Sequence, residues 1–226
     1  MDFAGFAGFD AAIDAALRTV ASPALMRVMW LATVSGDAAV MTVWTALAVV
    51  LLWAWGRRRQ AVVLAVMMSV EPLLVSALKQ AFSRPRPPLA DMLVAPPSGL
   101  SFPSGHATAA LLFYGLLALF ALLGDASGRR KASMVAGALG AAFLVGVSRV
   151  YLGVHFPSDV VAGWLVAGVL IALGGSWLAL WRHVGGPEHP LKPTPARRAG
   201  MDAALALAAA LAAGALFLQA CSNPLL

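Results

Sequence analysis

The stretch Ser148-Arg149-Val150-Tyr151-Leu152-Gly153-Val154-His155-Phe156-Pro157-Ser158-Asp159 separates two long apolar runs of the chain. It brings an arginine, a histidine and an aspartate close together in surroundings where charged groups are costly. Two other polar groups of residues, 79–87 and 103–106, have the same position between apolar runs. Titratable side chains clustered in such surroundings indicate a functional site.

The composition indicates an integral membrane protein. Of the 226 residues, 61% are hydrophobic and 12% are charged, and the mean hydropathy is +0.83. Soluble domains are about half apolar, with roughly a quarter of their residues charged. The net charge of +6 is no sign of a nucleic-acid partner, because the basic residues lie in short loops between apolar runs, as in membrane proteins. The single cysteine, Cys221, excludes an intramolecular disulfide and a multi-cysteine zinc site.

Six apolar segments approach the ~20 residues that a helix needs to cross a bilayer. They are residues 38–55, 61–82, 104–123, 132–151, 157–181 and 201–220. The sequence therefore predicts an all-α, polytopic membrane protein whose six-transmembrane-helix bundle occupies residues 38–220. Glycines inside these segments, at positions 137, 140, 146, 163 and 168, predict close packing of the helices.

The first 37 residues predict a separate N-terminal interfacial segment. Phe9, Ile13, Leu17 and Val20 follow helical spacing, which is typical of an amphipathic helix at a membrane surface. Pro23 predicts the start of a second short helix. Residues 221–226 form a C-terminal tail in this interpretation.

The distribution of basic residues predicts the orientation. The loops after the first, third and fifth segments hold ten of the 16 lysines and arginines, and by the positive-inside rule they face the cytoplasm. The three polar groups of residues then converge on the opposite side. We therefore expect a multi-pass protein of the inner (plasma) membrane with its site on the periplasmic or extracellular face, in contact with bilayer lipids.

The residue types at this face predict a site for an anion. Up to four cations meet there, and arginine holds phosphate oxygens in pairs while lysine acts as a point charge. These cations are Lys79, Arg84, Arg86 and Arg149. The sequence Pro103-Ser104-Gly105-His106 is typical of a helix start, whose free N–H groups attract anions.

Two histidines in one anion site indicate catalysis. His155 and Asp159 are close enough in sequence for a hydrogen bond across the start of a helix, and such an aspartate holds a histidine in one tautomer. The two histidines, His106 and His155, suggest a division of labour in which one is the nucleophile and the other the general acid.

The chain resembles the type-2 phosphatidic acid phosphatase superfamily at three motifs in that family's order. This superfamily includes lipid phosphate phosphatases and undecaprenyl pyrophosphate phosphatases. The motifs are Lys79-x6-Arg86-Pro87, Pro103-Ser104-Gly105-His106 and Ser148-Arg149-x5-His155-x3-Asp159. They span residues 79–159 and show no departure from the family pattern at a motif position.

The resemblance implies a role for each motif residue. His155 would attack phosphorus and form a phosphohistidine, Asp159 would orient it, and His106 would protonate the leaving oxygen. The phosphate oxygens would be held by Lys79, Arg86, Arg149, the Ser104 hydroxyl and the Gly105 backbone N–H. Arg84 would be a supporting residue. The resemblance implies no cofactor and no metal ion, since the cations would neutralise the phosphate charge.

Glu71 is open to two interpretations. It lies two helical turns from Lys79, beside Pro72, and either has a partner inside the bundle or forms the floor of the substrate pocket. Three hypotheses for the function are likewise open. The leading one is hydrolysis of undecaprenyl pyrophosphate, phosphatidic acid or phosphatidylglycerol phosphate at the outer leaflet; the alternatives are a lipid phosphotransferase and a non-catalytic anion or lipid transporter.

Overall fold

A computed structural model describes residues 3–95, 97–124 and 127–185. These residues form helices and connecting loops without a β-strand. Seven α-helices occur in this part of the chain, with short 3-10 turns at Ala4–Phe6 and Leu89–Asp91. They are α1 (Ala7–Thr19), α2 (Pro23–Ser35), α3 (Ala38–Ala54), α4 (Arg58–Phe82), α5 (Gly105–Leu122), α6 (Gly128–Tyr151) and α7 (Pro157–Gly185).

Four of the helices, α4 to α7, are each long and apolar enough to cross a membrane. They match the predicted second to fifth segments to within a few residues. The first predicted segment is α3, which meets the span criteria only together with α2, at a bend of 56°. Asp37 lies at this bend and accepts a hydrogen bond from the Ala39 N–H at 2.9 Å, which caps α3. The sixth segment, 201–220, and the tail, 221–226, lie outside the described residues, so the six-helix count stays a prediction.

The helix α5 lies at the centre of the bundle and packs against α3, α4, α6 and α7. Close packing is visible at Gly146, where a Cβ would meet the Trp164 ring, and at Gly163, where it would meet the Ser104 carbonyl oxygen. The other three glycines show no such packing against the described residues, none of which has an atom within 4 Å of the position of a Cβ. Those glycines are Gly137, Gly140 and Gly168.

The N-terminal helices cover the end of the bundle that carries the polar residues. The helix α2 begins at Pro23, as predicted, and packs against α6 with Met29, Trp30 and Val34 buried. The helix α1 exposes Phe9 on its surface but buries Asp10 against α7. This segment is therefore part of the packed structure, while an interfacial position for α1 stays a prediction.

Candidate active site

The ends of four helices bring the predicted site residues to one end of the bundle. Lys79 lies in the last turn of α4, His106 at the start of α5, Arg149 in the last turn of α6 and Asp159 in the first turn of α7. His106 lies within electrostatic range of Lys79, Arg149 and His155. The predicted convergence of the three polar groups of residues is therefore confirmed.

A tight turn between α6 and α7 sets the distance between Arg149 and His155. The backbone N–H groups of Val154 and His155 both donate to the Arg149 carbonyl oxygen, at 3.2 Å and 3.3 Å. Gly153 adopts a φ of +72°, and a Cβ there would collide with the Asp91 carbonyl oxygen. Only glycine allows both the left-handed backbone and this close approach.

His155 and Asp159 form the predicted pair. The Nδ1 atom of His155 lies 3.4 Å from Oδ2 of Asp159, and both side chains are buried. The same carboxylate oxygen accepts hydrogen bonds from the Ser101 hydroxyl at 2.5 Å and from the Phe156 N–H at 3.0 Å. An ionised Asp159 in this position favours a proton on Nδ1 and leaves the Nε2 lone pair for chemistry.

The Nε2 atom of His155 faces Arg86. The Nη1 atom of Arg86 lies 3.2 Å from Nε2, so its N–H can donate to that lone pair. Burial lowers the pKa of His155 to about 4, with Asp159 opposing the shift and Arg149 and Arg86 adding to it. The imidazole is consequently neutral at neutral pH, which is the state that a nucleophile requires.

Lys79 and Arg86 hold the loop that leads to the α5 start. Lys79 Nζ donates to the carbonyl oxygens of Leu100 and Ser101, at 2.5 Å and 3.4 Å. Arg86 donates to the carbonyl oxygens of Gly99 at 3.0 Å, Ser98 at 3.1 Å and Val154 at 2.9 Å. Burial also lowers the pKa of Arg86. Both cations are thus held at the site by backbone oxygens.

Two buried polar atoms at the site have no hydrogen-bond partner among the described residues. They are Ser104 Oγ and Arg149 Nε. Ser104 precedes α5 as its N-cap, yet its side chain makes no capping bond. The helix start predicted at Ser104-Gly105 is confirmed, and it presents unpaired N–H groups. Because buried polar groups are normally satisfied, this arrangement fits a ligand with oxygen acceptors.

Arg149 is held on its other side by a residue that the sequence did not single out. Its Nη1 atom donates to the Thr33 hydroxyl of α2 in a short hydrogen bond. Both residues are buried, and Arg149 has no carboxylate within ion-pair distance in the described part of the chain. A buried arginine without an anion is costly, which again fits an anionic ligand.

Arg84 lies behind the His155–Asp159 pair rather than beside the unpaired donors. Its Nη1 atom is 2.6 Å from Oδ1 of Asp159 and its Nη2 atom is 2.8 Å from Oδ2 of Asp10. The guanidinium also lies between the rings of Phe3 and Phe156, at 4.4 Å and 4.1 Å from their centroids. Its contacts agree with a supporting position.

Glu71 is buried in α4, one turn from Val75, the side chain nearest to a Cβ at Gly105. It makes no hydrogen bond or ion pair with the described residues. Of the two interpretations, a partner inside the bundle therefore finds no such residue in this part of the chain, and the role of Glu71 stays a prediction.

Sequence reasoning missed three polar residues near the site: Asp10, Thr33 and Ser101. All three are buried. Ser101 lies two residues before the helix-start motif, so its position was a usable signal. Asp10 and Thr33 lie in the N-terminal segment, far from the motifs in sequence, where nothing but tertiary packing reveals their contacts.

A cavity of about 350 Å³ lies between α1 and the turn before α7. His155 and Arg84 line it, together with acidic and basic residues of α1. The residues with unpaired donors, Ser104 and Arg149, do not line it. The cavity therefore lies on a different side of His155 from the predicted phosphate-binding residues.

Comparison with known proteins finds relatives that are named as lipid phosphatases, in agreement with the site geometry. The chain is 40% identical to phosphatidylglycerophosphatase B of Bacillus subtilis over 104 residues, which is 45% of this chain and 49% of that protein. It is 40% identical to an undecaprenyl-diphosphatase of Sulfolobus acidocaldarius over 83 residues, 37% of this chain and 32% of that protein. The chain thus spans about half of the first relative and a third of the second.

The fold is also shared with a solved structure. The crystal structure of a transmembrane PAP2 type phosphatidylglycerolphosphate phosphatase from Bacillus subtilis superposes with a TM-score of 0.70 at 28% identity, over 77% of this chain and 86% of that one. The PAP2 superfamily model matches residues 60–183, more than half of the chain and all three motifs. On the evidence of motifs, fold and family match together, this integral membrane protein belongs to the PAP2 superfamily.

Proposed function

We propose that the chain is a membrane phosphatase that hydrolyses a lipid phosphate or a lipid diphosphate through a phosphohistidine at His155. One observation carries the proposal. His155 is a buried, neutral imidazole whose Nδ1 atom is held by Asp159 while its Nε2 atom faces the cations. A nucleophile with a fixed tautomer next to unpaired anion donors is the arrangement that phosphoryl transfer needs.

The first step transfers the phosphoryl group to the protein. The Nε2 lone pair of His155 attacks phosphorus, the bond between phosphorus and the lipid oxygen breaks, and protonated His106 gives its proton to that oxygen. Asp159 stabilises the positive charge that forms on the His155 ring. Charge on the phosphoryl oxygens is balanced by Lys79, Arg86, Arg149, the Ser104 hydroxyl and the Gly105 N–H.

The second step regenerates the site. His106, now neutral, takes a proton from a water molecule, whose oxygen attacks the phosphorus of the phosphohistidine. The phosphorus–nitrogen bond breaks, and inorganic phosphate and His155 are released. In this scheme the basic residues supply the charge neutralisation that metal ions supply in kinases, so hydrolysis needs no metal ion.

The names of these relatives favour phosphatidylglycerol phosphate and undecaprenyl diphosphate as the first substrates to test. The relative and the solved structure from Bacillus subtilis favour the glycerophospholipid, because one matches the chain over more residues and the other shares its fold. The apolar helix surfaces would hold the lipid tails while the headgroup enters the polar end.

We place the reaction at the outer face of the membrane. The support is the excess of basic residues in and beside the loops at the opposite end of the bundle, where Arg57, Arg129 and Arg182 lie. Accessibility labelling of a cysteine introduced at Arg129, in a Cys221→Ser background so that it is the single thiol, would test this orientation. Labelling of Arg129→Cys in intact cells by an impermeant reagent would contradict it.

The decisive experiment is phosphate release by the purified protein from a panel of the two lipids and phosphatidic acid. We expect release from at least one lipid, unchanged by EDTA and inhibited by vanadate. His155→Ala should abolish release, whereas the control His183→Ala, at the exposed far end of α7, should keep it. Unchanged hydrolysis by His155→Ala would refute the mechanism.

The same experiment separates the alternatives. A lipid phosphotransferase would move the label of the donor lipid to an acceptor lipid rather than to free phosphate. A transporter would bind phosphate analogues and release no phosphate in either protein.

A further inference from the structure

Asp10 of α1 is a buried carboxylate in a helix that is otherwise largely exposed. Its exposed fraction is 5%. Oδ1 accepts a hydrogen bond from the Ser158 N–H at 2.8 Å, and Oδ2 accepts bonds from the Ser158 hydroxyl and from Arg84, each at 2.8 Å. Both carboxylate oxygens are therefore used, at the N-terminal turn of α7, where negative charge is favoured.

Arg84 connects Asp10 to Asp159. One nitrogen of the guanidinium binds Asp10, and the other binds Asp159 at 2.6 Å and the Ser158 hydroxyl at 2.7 Å. Asp159 in turn holds His155. The result is a continuous buried network of a carboxylate, a guanidinium, a second carboxylate and an imidazole. Its first carboxylate, Asp10, comes from α1.

The net charge of this side-chain network affects the reaction proposed above, on which the inference rests. With Asp10 present, Arg84 is balanced by two carboxylates, so the cluster with a neutral His155 carries one net negative charge. Without the charge of Asp10, Arg84 would be balanced by Asp159 alone. Asp159 would then stabilise a positive His155 ring less, because the nearby guanidinium would offset its charge.

We propose that Asp10 is a positioning residue for the His155–Asp159 pair, acting through Arg84 to hold Asp159 in place and to keep the cluster negative. Asp10 does not touch the reacting atoms. A docked α1 is thus required for a fully active site, and residues 1–37 contribute to turnover as well as to packing.

The neighbourhood of Asp10 offers a matched control. The other charged or titratable groups that line the cavity with it are Asp14, Arg18, Arg84, Asp91 and His155. Asp14 lies one turn further along α1, where it pairs with Arg18 at 2.7 Å on the exposed side of the helix. It has no contact with Arg84 or Ser158 among the described residues. Asp14→Asn therefore removes the same charge from the same helix and leaves the network of Asp10, Arg84, Asp159 and His155 intact.

The test compares Asp10→Asn, Asp10→Glu and Asp14→Asn with the wild type, using the lipid that the wild type hydrolyses. For Asp10→Asn we expect kcat to fall ten- to a hundredfold, KM to change less than threefold, and the acid limb of the kcat/KM profile to move to lower pH. The limb moves because the loss of a negative charge makes His155 harder to protonate. Asp14→Asn should remain within twofold of the wild type with an unmoved limb.

Asp10→Glu keeps the charge but displaces the carboxylate by one methylene. We expect its kcat to lie between those of the wild type and Asp10→Asn, at least threefold below the wild type, with an unmoved acid limb. If Asp10→Asn does not fold, the proposal is tested by Asp10→Glu alone. A wild-type kcat in Asp10→Glu would overturn it. A folded Asp10→Asn with a wild-type kcat and pH profile would overturn it as well.

Failure of the proposed function is distinguishable from failure of this inference. If the wild type releases no phosphate from any lipid, the function is wrong. The coupling is then decided by an NMR titration of His155 in the wild type and in Asp10→Asn. A lower pKa of His155 in the variant supports the coupling, and an unchanged pKa overturns it.

Discussion

Replacement of Arg149 by methionine should stabilise the unliganded protein while abolishing its activity. Arg149 is buried, Thr33 is the only described hydrogen-bond partner of its side chain, and its Nε atom has none. Methionine has a similar length and no polar group to satisfy. The residue is therefore retained for a ligand and at the expense of stability.

The magnitude follows from the contacts that the change removes. The effective penalty for a buried unpaired charge is several kcal/mol, and the unmade bond at Nε adds about 1–3 kcal/mol. Against this, the bond to Thr33 is lost, which costs about 1.5–3 kcal/mol because one partner is charged. The net expectation for Arg149→Met is a free energy of unfolding raised by at least about 1 kcal/mol.

Thermal unfolding in detergent, with and without vanadate, measures both parts of this prediction. Without the anion, Arg149→Met should melt above the wild type. At about a hundredfold excess over its Kd for the wild type, the anion should stabilise the wild type by about 2.7 kcal/mol and the variant, which has lost one of the anion's ligands, by clearly less. Arg182→Met, which removes an exposed arginine at the far end of α7, should change neither value. A variant that melts below the wild type would refute the reasoning.

Two further predictions concern packing and pH. Gly163→Ala should lower the free energy of unfolding by about 1–3 kcal/mol, because its Cβ would lie 2.8 Å from the Ser104 carbonyl oxygen. Gly168→Ala, on the same helix with no described atom within 4 Å of its Cβ position, should raise Tm slightly, and equal Tm values for the two variants would contradict this. His155 has a folded pKa of about 4 against an ordinary value of 6.5, so between these values the unfolded chain binds the proton and the native state does not. Stability should consequently be lost as the pH falls from 6.5 towards 4, and Tm measured across this range should show a shallower slope in His155→Ala; an equal slope would count against the buried neutral imidazole.

The apolar runs and the three motifs predicted most of the fold and the core of the site. The second to fifth segments were predictable because a bilayer demands a length and a composition that few other contexts allow. His155 and Asp159 were predictable because they are four residues apart across a helix start. The contacts of Thr33 and Asp10 were not, since they join helices far apart in sequence and depend on how α1 and α2 pack. A partner for Glu71 was one of the two interpretations because a buried carboxylate usually has one, and none occurs among the described residues.

The N–H groups of Arg86 already form hydrogen bonds within the protein, to three carbonyl oxygens and to the His155 ring. In the proposed reaction it exchanges some of these bonds for phosphate oxygens, so the net affinity for phosphate is smaller than the new contacts alone would give. When the product leaves, Arg86 forms its hydrogen bonds to the loop carbonyl oxygens and to the His155 imidazole again, which favours release. An enzyme of this design is resistant to inhibition by the inorganic phosphate that it produces.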